Sequence, residues 1–169
     1  MLAAKAIVIG SASFAAGLAG AAVAVFAGGR LLRHNGNLIY PVSTLTEVSV
    51  VAGTAAVLAV AAVLAMDAGT MLRRSAGAIA GVIVIIVLPY FLSTASVLPA
   101  GPAQWLLRVT PAAGFAIEQT LTQYPQVSNL YTPAYGYYPL APWAGFAVLC
   151  AYAALALGLA LFLLRRRDA

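Results

Sequence analysis

The chain has 169 residues, 63% of them hydrophobic and 8% charged, with a mean hydropathy of +0.98. A soluble domain carries ~25% charged residues, so this composition excludes a water-soluble globule and predicts an integral membrane protein. The formal net charge of +5 comes from nine cations grouped at the ends of apolar runs, a pattern that reads as membrane topology and not as nucleic-acid binding.

Four apolar runs, about residues 6–27, 48–66, 75–98 and 143–164, have no ionisable residue in their central turns. About 20 residues at ~1.5 Å rise each cover the ~30 Å hydrocarbon layer. Lipid offers the backbone no hydrogen-bond partners, so each run is expected to be a helix that closes its own bonds. The predicted fold is an all-α polytopic bundle in one membrane domain, with four transmembrane helices and a broken, partly re-entrant outer segment before the last span.

The first run follows Lys5 and, at about 22 residues, exceeds the apolar core of a cleaved secretory signal. It is read as a mature span. The stretch 28–46 carries His34, Asn35, Gly36, Asn37 and Pro41 and reads as a short polar connector, in which His34 is expected to be simply solvated. Asp67-Ala68-Gly69-Thr70-Met71-Leu72-Arg73-Arg74 reads as a helix end, a tight turn and a new helix start, so spans two and three should form an antiparallel hairpin. Pro89 lies inside the third run and predicts a kink or a broken helix there.

Residues 99–142 are the largest feature outside the spans, punctuated by Pro99, Pro102, Pro111, Pro125, Pro133, Pro139 and Pro142. Trp105, Leu106, Leu107, Val109, Phe115 and Ile117 make its first half too apolar for an aqueous loop, while Arg108 and Glu118 keep it from being a fifth span. Two short helices dipping into the outer leaflet fit this pattern. Trp105, Tyr124, Tyr131, Tyr135, Tyr137, Tyr138 and Trp143 are candidate outer-interface aromatics, because such rings favour the headgroup level. They are read as an anchoring belt, with an aromatic lid over an exit path as the sharper alternative.

An even number of spans places both termini on one side. Lys5, Arg73, Arg74 and Arg165 to Arg167 share that side, against Arg30, Arg33 and Arg108 on the other. By the positive-inside rule both termini are cytoplasmic and the protein is a multi-pass protein of the cell membrane. Arg30 and Arg33 fit this orientation least well.

Catalytic constellations are missing from the pattern. The single lysine precedes a helix and heads no phosphate-binding loop, and the single histidine excludes a metalloprotease motif. No metal or other cofactor is expected in this chain, and no enzymatic activity. Cys150, the lone cysteine, reads as small apolar packing. Gly77 with Gly81, Ser13 with Gly17, and Ala16 with Gly20 repeat small-xxx-small spacings that favour close helix contact.

Several patterns together resemble the type-2 class of ATP-binding-cassette (ABC) transporter permeases, bacterial exporters whose membrane subunit commonly has six spans. Leu2-Ala3-Ala4-Lys5-Ala6 looks like that family's basic lead into its third span, and Asp67 through Ala78 is similar to its turn between spans four and five. Pro89 followed by Trp105-Leu106-Leu107-Arg108-Val109-Thr110-Pro111-Ala112-Ala113-Gly114 resembles its broken outer segment, and Leu164-Arg165-Arg166-Arg167-Asp168-Ala169 its Arg-rich ending. The resemblance covers almost the whole chain. It implies that the four spans correspond to the last four of six, with the earlier two and the main coupling segment expected upstream or on another polypeptide.

The resemblance further implies a second permease subunit, as homodimer or heterodimer, around a common path, and separate ABC ATPase subunits that bind ATP and dock from the cytoplasm. Lys5, Arg73 and Arg74 are then candidate cytoplasmic partner contacts; the simpler reading is that they anchor helix ends to membrane lipids. The competing expectation from another class is a small four-span scaffold or accessory protein that binds a membrane partner and transports nothing.

Overall fold

A computed structural model describes residues 2–36, 43–72, 75–95, 98–120 and 137–167. The Ala-, Leu- and Val-rich start of the chain builds α1, Leu2–His34, whose 33 residues reach ~50 Å. It stops where Gly36 adopts φ 75° and its N–H donates to the Arg33 carbonyl at 3.1 Å, the left-handed glycine ending that a side chain would oppose. Arg33 and His34 lie in the last turn, where cations complement the helix dipole.

The helix α2, Thr44–Leu72, is started by Ser43, whose Oγ accepts the Thr46 N–H at 3.3 Å, with Glu47 in the first turn. Next, α3, Ser75–Thr94, runs through the buried Pro89 without ending. The Ser93 and Thr94 hydroxyls both donate to the Tyr90 carbonyl at 2.7 Å just before it closes. Pro99 precedes α4, Ala100–Val109. Pro111 then disfavours helical backbone at Thr110, which is extended at ψ 164°, and the chain re-enters as a 3₁₀ helix, η1, Pro111–Glu118. Pro142 sits at the first position of α5, Pro142–Arg167, where its missing N–H costs nothing.

Four neighbours surround α2, namely α1, α3, η1 and α5, whereas α1 packs substantially on α2 alone. The core joins Val57 and Leu64 of α2, Val82 and Ile86 of α3, Ile117 of η1, and Leu149 and Ala153 of α5. No α1 residue belongs to it. Gly17 brings α1 against α2: a Cβ there would stand 3.1 Å from the Ala55 Cα.

Three helices, α1, α2 and α5, are long and apolar enough to cross a membrane. In place of the expected third span stands α3, which ends at Thr94 and not near Leu98, and whose apolar stretch is Ala80–Thr94. All regular structure among the described residues is helical.

Two expected connectors are corrected. The stretch 28–46 is helix at both ends, because Arg30, Leu31, Leu32 and Arg33 are good helix formers and only Gly36 supplies a stop. The turn placed at 67–74 begins later, since α2 continues through Asp67 to Leu72. The proline-rich region before α5 does contain two short helices, α4 and η1, and η1 is buried among α2, α3 and α5.

Candidate functional site

At the end of the bundle opposite Lys5, α4 and η1 form a cap. Runs of 3₁₀ helix beyond three or four residues are uncommon, and this one lasts eight. Close packing holds it: Pro111, Ala112, Ala113, Gly114, Ala116 and Ile117 are all buried. Glycines on its neighbours make the seat. A Cβ on Gly145 of α5 would run into the Ala113 carbonyl oxygen and the Ala116 Cβ, and one on Gly53 of α2 would meet the Ile117 side chain. In return, Gly114 leaves room for Leu149, which would lie 2.8 Å from a Cβ there.

Polar pins lock the cap. The Tyr152 hydroxyl of α5 donates to the Val109 carbonyl at 2.6 Å, and the Tyr138 N–H donates to Gln119 Oε1 at 3.1 Å. Tyr90 of α3 packs on Phe115 with ring centroids 5.1 Å apart and shares a side-chain hydrogen bond with Tyr138. Burial pushes the Tyr138 phenol far above its ordinary range, with the Glu118 carboxylate and Tyr90 adding to the effect, so Tyr138 stays neutral. Glu118 as a residue is exposed, yet the surrounding protein strips enough water from its carboxyl to raise it above the ordinary carboxylate range.

The expected interface aromatics divide. Trp105 and Trp143 point outward, 66% and 59% exposed, and Trp143 meets Phe146 edge-on at 6.1 Å. Tyr138, at 6% exposed, instead faces inward as a structural pin, and Tyr137 is half-buried. Tyr124, Tyr131 and Tyr135 lie outside the described residues.

At the other end of the bundle Lys5 is exposed on α1, while Arg73 and Arg74 lie outside the described residues. Gly10 opposite Val63 and Gly17 opposite Leu58 set the antiparallel register of α1 and α2, which puts Lys5 within about one turn (~5 Å) of Asp67 in depth. Asp67 is fully buried, and neither carboxylate oxygen has a hydrogen-bond partner among the described residues. A carboxylate so placed costs several kcal/mol if it stays charged and unpaired, roughly. It reads in the sequence as an ordinary helix boundary, and the structure makes it an enclosed polar group.

Between the two ends, Gly10 of α1, Val60 and Val63 of α2, and Cys150 and Ala153 of α5 line an apolar crevice of about 220 Å³. Cys150 is half-buried on its wall. Among the described residues no three His, Cys, Asp or Glu side chains converge as a metal site would require. The arrangement therefore offers surfaces and seats for packing, with its charges at the two ends.

Tyr152, Tyr90 and Gln119 escaped the sequence reading. A lone Tyr inside an apolar run was the available signal, because its hydroxyl must find a partner when buried. Gly53 and Gly145 gave none, since nothing in a chain with 15 glycines marks which ones face a backbone. Compared with protein-family models, curated proteins and solved structures, the chain matches none.

Proposed function

We propose that this chain is a membrane-spanning permease subunit of an ATP-driven ABC exporter. The observation that carries the reading is the cap: a broken, buried α4–η1 pair, set immediately before the last long helix and wedged against α2 and α5. That is the arrangement the type-2 resemblance anticipates before a final span. In this reading α3, with 20 residues and ~30 Å of length, is the fourth transmembrane helix, the cap lies partly re-entrant in the outer leaflet, and both termini are cytoplasmic.

Transport then depends on partners. A second permease subunit would complete the path, and a separate ABC ATPase would bind ATP and bias the paired membrane halves between inward and outward states. Lys5, with Arg73 and Arg74, would face that ATPase from the cytoplasmic side. Asp67, enclosed at the same end, is placed to respond to a change in packing there.

The alternative, a four-span scaffold that transports nothing, draws on α1. Only 6% of its most apolar window is buried, so a long greasy face is left for some membrane partner. Affinity capture of the tagged chain from its native membranes, with identification of co-purifying proteins by mass spectrometry, separates the two. The exporter reading expects an ABC ATPase in near-stoichiometric amount. Repeated capture of other membrane proteins with no such ATPase would favour the scaffold and overturn the exporter.

A further inference from the structure

The last third of α1 carries more positive charge than helix termination explains. Arg33 and His34 lie in the final turn and complement the dipole, but Arg30 stands a turn earlier and makes no ion pair or hydrogen bond among the described residues. Arg30 and Arg33 also oppose the positive-inside pattern when the termini are cytoplasmic. A local use for the charge would resolve both points.

An open groove of about 690 Å³ runs along this part of α1. Phe26, Arg30 and His34 follow one another at intervals of four residues and so share one face of the helix, with Val23, Ala27 and Leu31 beside them. Arg33 is not among the lining residues. From Ala22 to His34 the groove covers 12 residue steps, ~18 Å, slightly more than the ~15 Å hydrocarbon depth of one leaflet. Its inner part is apolar and its end basic. On the opposite flank of Phe26 a separate groove of about 300 Å³ contains Glu47, so the acidic and basic side chains line different grooves.

We propose that this groove binds an anionic phospholipid of the leaflet at the cap end. One acyl chain lies along Val23, Phe26 and Ala27. The phosphate sits at the rim, where the Arg30 guanidinium donates two hydrogen bonds to its oxygens and a His34 ring N–H donates a third. A guanidinium suits this role because its planar fork matches phosphate geometry and its charge is permanent. A transmembrane helix of a second copy is a poorer occupant: it would have to present an acid at this level, and the acids at this end of the described chain are Glu47 and Glu118. The inference needs α1 to lie in a membrane and does not depend on the exporter reading.

The test is native mass spectrometry of the full chain released from detergent, titrated with phosphatidylglycerol or phosphatidylcholine of identical acyl chains. The wild type should retain phosphatidylglycerol about fivefold more strongly. R30Q/H34Q should reduce it to the phosphatidylcholine level, R33Q should leave it unchanged, and V23W, which fills the apolar part, should weaken both lipids. Inorganic phosphate should displace neither. Equal retention of the two lipids by the wild type, or a loss in R33Q as large as in R30Q/H34Q, would overturn the proposal. So would displacement by inorganic phosphate, or a chain dimer that forms in place of lipid binding and breaks in R30Q/H34Q.

Discussion

The shortest regular element and the longest make opposite use of their surroundings. η1 has eight residues in the strained 3₁₀ form, and six of them are buried against three helices. α1 has 33 residues of good helix formers and leans on one neighbour, with Ile7, Val23 and Phe26 each at least 65% exposed. Regular hydrogen bonding lets α1 stand in lipid with little tertiary help, because its backbone is satisfied internally. An irregular segment has no such independence, and η1 persists only where glycine-lined neighbours enclose it. The cap is thus the part of the molecule that folding determines closely, and α1 is the part that partners and lipid complete.

That contrast is broken most severely at Gly145. G145A would place a methyl group against the Ala113 carbonyl, a backbone atom that cannot turn aside, and should destabilise the protein by about 3 kcal/mol. G158A, on the same helix with nothing within 4 Å, should be stabilising by up to ~1 kcal/mol. Thermal unfolding of the two variants in detergent should therefore move in opposite directions; equal shifts would deny the cap its special seat.

A smaller effect is expected at Tyr152. Y152F removes the 2.6 Å bond to the Val109 carbonyl and should cost about 1 kcal/mol, read as a lower melting temperature together with faster proteolysis near α4. Unchanged proteolysis would mean that packing alone holds α4 down.

The smallest effect concerns pH at Glu118. Desolvation raises this carboxyl above its ordinary 4.5, so the folded protein binds the proton more tightly than the unfolded chain does. Stability from this group is then greatest in acid and declines as pH rises from 4.5 through the raised value. E118Q should flatten that decline, with melting temperatures of wild type and variant diverging toward neutral pH in favour of the variant. Parallel curves would show that Glu118 is fully hydrated.

Much of the scaffold is legible in the residue order because lipid imposes one rule on every span. The apolar runs locate α1, α2 and α5, and Pro99, Pro102 and Pro111 mark where α4 and η1 begin. The helix ends are less legible. α1 continues through Arg30 and Arg33 because a helix may carry charge once it leaves the hydrocarbon, and hydropathy registers the layer and not the helix. Pro89 promised a break, yet α3 passes through it, buried among neighbours that can support a helix with one bond missing. The spacing of Gly77 and Gly81 promised close contact, yet no atom of the chain lies within 4 Å of a Cβ at either position. Gly53 and Gly145 fulfil that role without any motif, since which glycine meets a backbone depends on segments distant in sequence. Tyr138 likewise resembles its exposed aromatic neighbours in type and differs only in the partners, Gln119 and Tyr90, that tertiary packing brings to it.

The two ends of α1 also provide the most direct test of the exporter reading. Lys5→Cys and Arg33→Cys, each in a Cys150→Ala background and labelled with a photoactivatable crosslinker, would be irradiated in native membranes with and without ATP. The account predicts an adduct with an ABC ATPase at position 5, its yield changing when ATP is added, and none at position 33. No ATPase adduct at position 5, or equal adducts at both ends, would contradict it.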